Sequence, residues 1–582
     1  MAVPPCWPGV AGQSHAATTE KKGRCNVSKY AILAWQPLLR PPLPSEEPPV
    51  EPGVFDAPLK ALACRNQVTS LAALLVAGEP VSSARLVFSD LASDRGRIPA
   101  DALSARLVGT VPTPEAGLMC DPLYEVEEFA IDKCAALHVS VRIPSDIPAG
   151  VYRGTVALVV GGRDVALNRV EVEVANVDLP DARDWDFFLN VWMNPATVAR
   201  WHGVEVFSDE HFRRLRPYVE DLASHGQKTV VAPICHQPWG AQTRDPYPNS
   251  IRWVKRRGKY GFDFSAFDRY VELHEKCGID RAIHCYTIVQ GNKDGGNTIE
   301  FFDADAGDIR RVEAAIGDDL YTPAWGSFFK AFRAHLEGKG WLDKTYIGFD
   351  EKPPETMEAA IEFLEEHAPD FKVALAGNTS EELYPRIDDL CLHIQFNERG
   401  VVDLSPPERS AMGIAQLLDP ERARSAAVVR TANMMTSFYV CCGPAHPNTF
   451  LFSPLVESRM LPWLAVQGSY DGFLRWSYND WPDDPYTHPE WGLWPTGDVF
   501  FVYPGADGPI SSLRWEQLRQ GIADYELAMI ASANLQGPEE MVDCEQAITL
   551  ACRDTDGRAK SIGDIEIARR LLIPIAEHQA GG

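Results

Sequence analysis

Between about residues 57 and 180 the chain alternates apolar and polar positions over short runs. ALHVSVRIP, GVYRGTVALVV and NRVEVEVANV are rich in Val, and IPSDIPAGVYRG supplies turn residues between two of them. A period of two buries one face of an extended segment and exposes the other, so these runs predict strands. Together they predict an antiparallel β-sandwich over 56–182, with VDLPDARDWD as the linker out of it. From about 186 the pattern changes. Eight short apolar runs follow: FFLNVWM (187–193), KTVVAPIC (228–235), DRAIHCYTIV (280–289), TYIGFD (345–350), KVALAG (372–377), LCLHIQF (390–396), SFYVCC (437–442) and DGFLRWSY (471–478). Between them lie amphipathic stretches such as SDEHFRRLRPYVEDLASHG and TPAWGSFFKAFRAHLEGKG. The first opens with Ser208 and carries His211 where a capping box has Glu or Gln. Eight strands with intervening helices predict a (β/α)8 TIM-type barrel over 183–532, whose active site would lie at the C-terminal ends of the strands. Residues 533–582 hold two further helical segments, expected to pack on the outside of the barrel. Residues 1–55, with PPLPSEEPPVEP, read as a disordered or extended tail.

Composition narrows the function. The chain has 582 residues, enough for several domains, and 45% of them are hydrophobic, enough for large cores. Its formal net charge of -26 disfavours nucleic acid and anionic membranes as partners. Fifteen Trp and seventeen Tyr suit stacking on sugar rings, although they also fill cores. The thirteen cysteines show no metal-binding spacing and read mainly as buried thiols, so no metal or other cofactor is expected. No run is long enough to span a membrane, and the N-terminal MAVPPCWPGVAGQSHAATTEKKGRC is a poor signal peptide, from which a cytoplasmic location is expected. Oligomeric state cannot be read from the sequence.

The candidate chemistry centres on Asp350 and Glu351, at the end of the fourth predicted strand. Taken alone, Asp-Glu is a common solvated turn. Placed at a barrel mouth, two neighbouring acids in different surroundings could hold different protonation states. Other strand ends bring Trp192, His236, Trp239, Tyr286, Gln395, His446, Asn448, Arg475, Trp476 and Tyr478 toward the same mouth. Each has a structural alternative: the Trp residues can pack, His446 can be a satisfied loop histidine, and Arg475 can pair with Asp471 or Asp480. There is no GxSxG elbow, Walker loop or HExxH. An acid pair with aromatics points to glycoside hydrolysis.

DGFLRWSYNDWPDDP, followed by GDVFFVYPGADGPISSLRWEQLRQGIADYE, resembles the C-terminal catalytic segment of glycoside hydrolase family 123. So do HPNTF, WMNPATVARWHGVEVFSDEHF, the Asp-Glu pair and, within the sandwich region, DPLYE at 121–125. The resemblance covers roughly 120–530, and the block 471–526 is its most specific part. It implies a β-sandwich followed by a (β/α)8 barrel. It also implies retaining exo-cleavage of terminal β-linked N-acetylgalactosamine, so the partner would be a glycan ending in that sugar. In the family mechanism the sugar's own 2-acetamido oxygen attacks the anomeric carbon and forms an oxazolinium ion. By position, Asp350 would orient the acetamido N–H and rest ionised. Glu351 would rest protonated, protonate the leaving oxygen and then activate water. Tyr286 would bind the acetamido carbonyl and Trp476 would wall its methyl, while His446, Asn448, Arg475 and Tyr478 are candidates for hydroxyl contacts. The chain departs from the pattern at Lys352, where a proline is expected directly after Asp-Glu. Two alternatives stay open: a β-hexosaminidase or other glycosidase of different sugar specificity, and a non-catalytic carbohydrate-binding protein.

Overall fold

The computed structural model describes residues 30–46, 57–291, 297–394, 434–553 and 563–578. The N-terminal part is two β-sheets facing each other across one apolar core. One sheet has the order Tyr30–Trp35, Val68–Ala77, Cys134–Arg142, Leu103–Thr113, Gly117–Glu125, and every neighbouring pair in it is antiparallel. The other is built on Arg163–Asp178 and Gly150–Val160. Ile32, Leu71 and Val139 from the first sheet meet Leu59, Val156 and Val172 from the second, all buried. Two expectations change here. Leu59–Arg65 pairs in parallel with Arg163–Asp178, so the second sheet is mixed. Tyr30–Trp35, which the sequence reading left in the tail, is a strand at the edge of the first sheet. Its alternating inward residues are too few to stand out beside proline-rich neighbours. Arg40 then ties this segment to the next domain, donating to the carbonyls of Cys120 and Leu451 and, at 3.0 Å, to that of Ser453.

The eight apolar runs of the second half form one eight-stranded parallel sheet. Its strands are Phe188–Val191, Thr229–Val231, Ala282–Tyr286, Thr345–Asp350, Lys372–Ala376, Asp389–His393, Met435–Tyr439 and Gly472–Arg475. Each pairs with the next in the chain from the second to the eighth, and the eighth pairs back to the first. A single bridge between Leu189 and Gln227 nearly closes the remaining gap into a barrel. The sixth run was predicted to continue past His393, and its residues from 395 lie outside the described residues.

Helices Pro195–His202, Asp209–Ser224, Ser265–Cys277, Tyr321–Lys339, Pro354–His367, Leu455–Gly468 and Leu513–Ala533 flank the strands, while the fifth and sixth strands are joined by only a 3-10 turn, Glu381–Arg386. The imperfect cap at Ser208 works. Ser208 Oγ accepts from His211 N at 3.2 Å, and His211 Nδ1 accepts from Phe207 N at 2.8 Å, one residue before the N-cap N–H that a capping-box Glu would reach. One feature escaped the sequence reading, a four-stranded sheet of Lys259–Asp263, Arg252–Arg256, Thr298–Asp303 and Asp308–Glu313 inserted around the third helix and third strand.

Several charged contacts join the domains. Asp121, in the DPLYE motif, is fully buried and pairs with Arg514 at 3.1 Å, while Tyr503 donates to it at 2.8 Å. At the other end, the C-terminal helix Gly563–Ala576 sends Arg569 Nη1 to the Leu62 carbonyl at 2.6 Å, so this helix bridges the barrel's helices and the N-terminal sheets.

Candidate active site

Alternation along the barrel strands sorts the side chains. Phe438 and Val440 face the helical shell, and Tyr439 and Cys441 face inward; Ile283 and Cys285 face out, and Tyr286 faces in. Near the middle of the barrel the inward groups are polar. Thr229 Oγ1 donates to Asn190 Oδ1 at 2.7 Å, and His284 Nε2 lies 3.2 Å from Asp389 Oδ2. One step toward the C-terminal ends the lining turns aromatic. Trp192, Trp239, Tyr247, Tyr286 and Tyr439 form one buried cluster, with Trp476 packed against it. The rings of Trp192 and Trp239 are 4.7 Å apart, and Tyr286 lies 4.9 Å from each. Trp192 Nε1, Trp239 Nε1 and Tyr247 Oη are buried donors with no acceptor among the described residues, a costly arrangement unless something polar reaches them.

Asp350 and Glu351 stand at the edge of this cluster, where the fourth strand ends. Gly348, two residues earlier, allows the approach of Tyr286, because a Cβ there would lie 2.8 Å from the Tyr286 ring. Asp350 is the last paired residue, opposite Ala376. Glu351 then adopts a left-handed backbone, φ 44°, and donates its N–H to the Ala376 carbonyl at 2.8 Å. For a residue with a Cβ this conformation is strained, and such strain concentrates at functional sites. It also removes the strict alternation that would point two neighbours to opposite faces. The Glu351 carboxylate is fixed by Tyr439, whose Oη donates to Oε1 at 2.7 Å. Beyond it, Pro354 opens the next helix at a position that needs no N–H.

The two acids differ in surroundings. Burial, and then the neighbouring Glu351 charge, push the Asp350 carboxyl up to about 8, against the opposing pull of the Lys352 ammonium. Burial therefore works against the ionised state that the resemblance implies for Asp350. Lys352, which stands where the family pattern has proline, is itself buried and caps the Gly291 carbonyl of the loop after the third strand. Beside that loop, His236, Gln290, Gly291 and Arg311 line a cavity of about 310 Å³. His236 therefore sits in a side cavity beyond Lys352, and burial lowers its basicity.

The structure directs several candidates elsewhere. Arg475 is 1% exposed and spends its guanidinium on the Val440 carbonyl at 2.6 Å and on Asp498 at 2.5 Å, so its acid partner is Asp498 and not Asp471 or Asp480. Asn448 is fully buried and donates to the carbonyls of Cys441 and Pro444, at 2.9 and 2.7 Å, shaping its own loop. His446 pairs with Glu457 at 2.7 Å, and the same carboxylate accepts from Asn448 N. Tyr478 donates to Asp221 at 2.6 Å among the shell helices. Arg475, Asn448 and Tyr478 are held by buried scaffold contacts, whereas His446 is exposed on its loop. Trp192, Trp239, Tyr286 and Trp476 share one cluster with Tyr439, which holds Glu351, whereas Gln395 lies outside the described residues. The sequence reading missed Tyr439 and Tyr247. Strand alternation was the available signal for Tyr439, and nothing local marked Tyr247.

A family model for the glycoside hydrolase 123 catalytic domain matches residues 192–531. The chain belongs to glycoside hydrolase family 123. It is accordingly a glycosidase, with carbohydrate as its substrate class. Among solved structures, a family 123 glycoside hydrolase from Clostridium perfringens, described in a study of glycolipid glycan hydrolysis, superposes with a TM-score of 0.78 at 21% identity, covering 94% of this chain and 98% of that one. This shows a shared fold that extends beyond the catalytic domain. A Bacteroides ovatus GH5 xyloglucanase in complex with a XXXG heptasaccharide aligns over 80% of this chain and 98% of its own, at 8% identity and a TM-score of only 0.28. A comparison with curated proteins gives no match. Among the described residues no helix is long and apolar enough to cross a membrane, and no cluster of three or more His, Cys, Asp or Glu could hold a metal ion.

Proposed function

We propose that this family 123 enzyme is a retaining exo-glycosidase that releases terminal β-linked N-acetylgalactosamine with the sugar's 2-acetamido oxygen as the nucleophile. The barrel serves as a (β/α)8 catalytic scaffold carried on the N-terminal sandwich. The observation that supports the reading best is the division of labour within the acid pair. Asp350 is drawn into the aromatic floor, where its carboxyl is a stronger base than usual. Glu351 is exposed at the mouth and oriented by Tyr439. With the pair's one proton on Glu351, the ionised Asp350 can accept the acetamido N–H as positive charge develops on the attacking group. An acid at the rim can protonate the leaving oxygen and then deprotonate water. Two adjacent carboxyls do not span a sugar ring as a separated acid and nucleophile would, so a nucleophile carried by the substrate fits their adjacency.

In this reading Trp192, Trp239, Tyr286 and Trp476 enclose the acetamido group, and the unpartnered donors of Trp192, Trp239 and Tyr247 are available to its oxygens. The test is turnover of an aryl β-N-acetylgalactosaminide by Asp350→Asn and Glu351→Gln. Each variant is expected to lose at least about a hundredfold in kcat/KM. Azide is expected to rescue turnover only on activated leaving groups. Full activity in both variants overturns the assignment.

A further inference from the structure

Cys441 and Cys442 lie just past the seventh barrel strand, Met435–Tyr439. Cys441 lies two positions beyond Tyr439, on the same inward side, and packs against the aromatic cluster beside the acid pair. Cys442 is exposed, and the two Sγ atoms are 3.9 Å apart. The turn that carries them is fixed: Cys441 N donates to the Gly443 carbonyl at 3.0 Å, Asn448 Nδ2 donates to the Cys441 carbonyl at 2.9 Å, and His393 Nε2 reaches the Gly443 carbonyl at 3.2 Å. Most of the other described cysteines are buried, where burial pushes their thiols up and keeps them inert.

We propose that Cys441 and Cys442 form an oxidisable vicinal dithiol whose closure to a disulfide by hydrogen peroxide switches off the adjacent active site. The Cys441 thiolate attacks peroxide, forming an S–O bond as the O–O bond breaks, and the departing hydroxide leaves as water with the thiol's proton. The Cys442 sulfur then attacks the sulfenic sulfur, forming the S–S bond and releasing a second water. Two electrons pass from the two sulfurs to the peroxide. Hydrogen bonding from Cys442, and then from His393, holds the Cys441 thiol below its usual range, which favours the first step. The sulfurs must close to about 2.05 Å, while adjacent Cα atoms sit nearer together than a relaxed disulfide prefers. The product is therefore strained and readily reduced, as regulatory disulfides are. Closure draws Cys441 away from the cluster that frames Asp350 and removes a negative charge that helps Asp350 keep its proton.

The inference rests on Asp350 and Glu351 being the catalytic pair, and its test separates the two. The full-length protein is treated with hydrogen peroxide, alkylated and peptide-mapped, and assayed on an aryl glycoside that it cleaves. The expected result is a peptide containing Cys441 and Cys442 that is unalkylated and two hydrogens lighter. A loss of about tenfold or more in turnover should accompany it, restored by dithiothreitol. Cys442→Ser, which keeps basal turnover, should form no such link. Two thiols that remain alkylatable while other thiols are oxidised, or a disulfide without loss of turnover, would overturn the proposal. Failure of the catalytic reading shows elsewhere, as undiminished turnover in Asp350→Asn and Glu351→Gln.

Discussion

Tyr439 donates a 2.7 Å hydrogen bond to Glu351 across the barrel mouth, linking the seventh strand to the exit of the fourth. Glu351 is exposed, on a left-handed backbone just past its strand, and the Tyr439 hydroxyl is the hydrogen-bond donor that aims its carboxylate. Tyr439→Phe keeps the ring in the cluster and deletes this donor. A hydrogen bond to a charged group is worth about 1.5–3 kcal/mol, so kcat is expected to fall roughly 10- to 100-fold, with KM little changed. Steady-state kinetics on an aryl glycoside measure it, and unchanged kcat would remove Tyr439 from the site.

Gly377 sets the other side of Glu351. Its φ is 143°, and a Cβ built there would lie 2.9 Å from the Glu351 Cα and 3.0 Å from its N. Both contacts are with backbone, so Gly377→Ala must displace Glu351. A shift of about 1 Å in a catalytic group can cost on the order of a hundredfold in rate. Activity should collapse by about that factor while the thermal midpoint falls only modestly. Parallel kinetics and calorimetry check the pair of outcomes.

Much of this arrangement was legible in the sequence. All eight barrel strands coincide with apolar runs read from the chain, because a strand buried on both faces leaves a continuous apolar signature. Asp350 and Glu351 were visible because prolines stop their strand. The partners of Arg475, Asn448 and Tyr478 were not legible in the sequence for one physical reason. A polar residue at a strand end looks the same in sequence whether it faces a ligand or a buried partner, and their partners, Asp498, Cys441 with Pro444, and Asp221, are fixed only by the fold. The recognisable block 471–526 largely encodes such scaffold. Asp524 binds Arg459 and Arg569, and Glu526 accepts the N–H groups of Asp186 and Phe187 where the first strand begins.

The acid pair should also govern pH dependence. With the Asp350 carboxyl pushed up to about 8, the pair keeps a proton until roughly that pH. The mechanism needs one proton shared between the two acids, so kcat/KM is expected to fall as pH rises through about 8. Lys352 pulls the Asp350 carboxyl down, so Lys352→Met should move this alkaline limb to higher pH. The linkage to stability has a definite sign. A carboxyl raised in the folded state stabilises fully below its unfolded value near 3.8, and that contribution is lost as pH rises toward about 8. Asp350→Asn cannot ionise, and should melt a few degrees above wild type at pH 8, with the gap closing toward pH 4. Thermal melts across that range check it.

Arg475 offers a contrast between scaffold and site. Its pair with Asp498 is wholly buried, and removing one partner of such a pair costs about 3–5 kcal/mol. Arg475→Met should lower the thermal midpoint substantially. The folded fraction that remains should bind substrate with nearly wild-type KM. A raised KM at unchanged stability would return Arg475 to the substrate site.

The central claim is that the substrate supplies the nucleophile to an acid pair that only steers and protonates. The most direct measurement compares kcat/KM on two aryl β-galactosides that differ only at carbon 2, one bearing the acetamido group and one a hydroxyl. The account expects turnover of the first and essentially none of the second. Comparable turnover of both would contradict it.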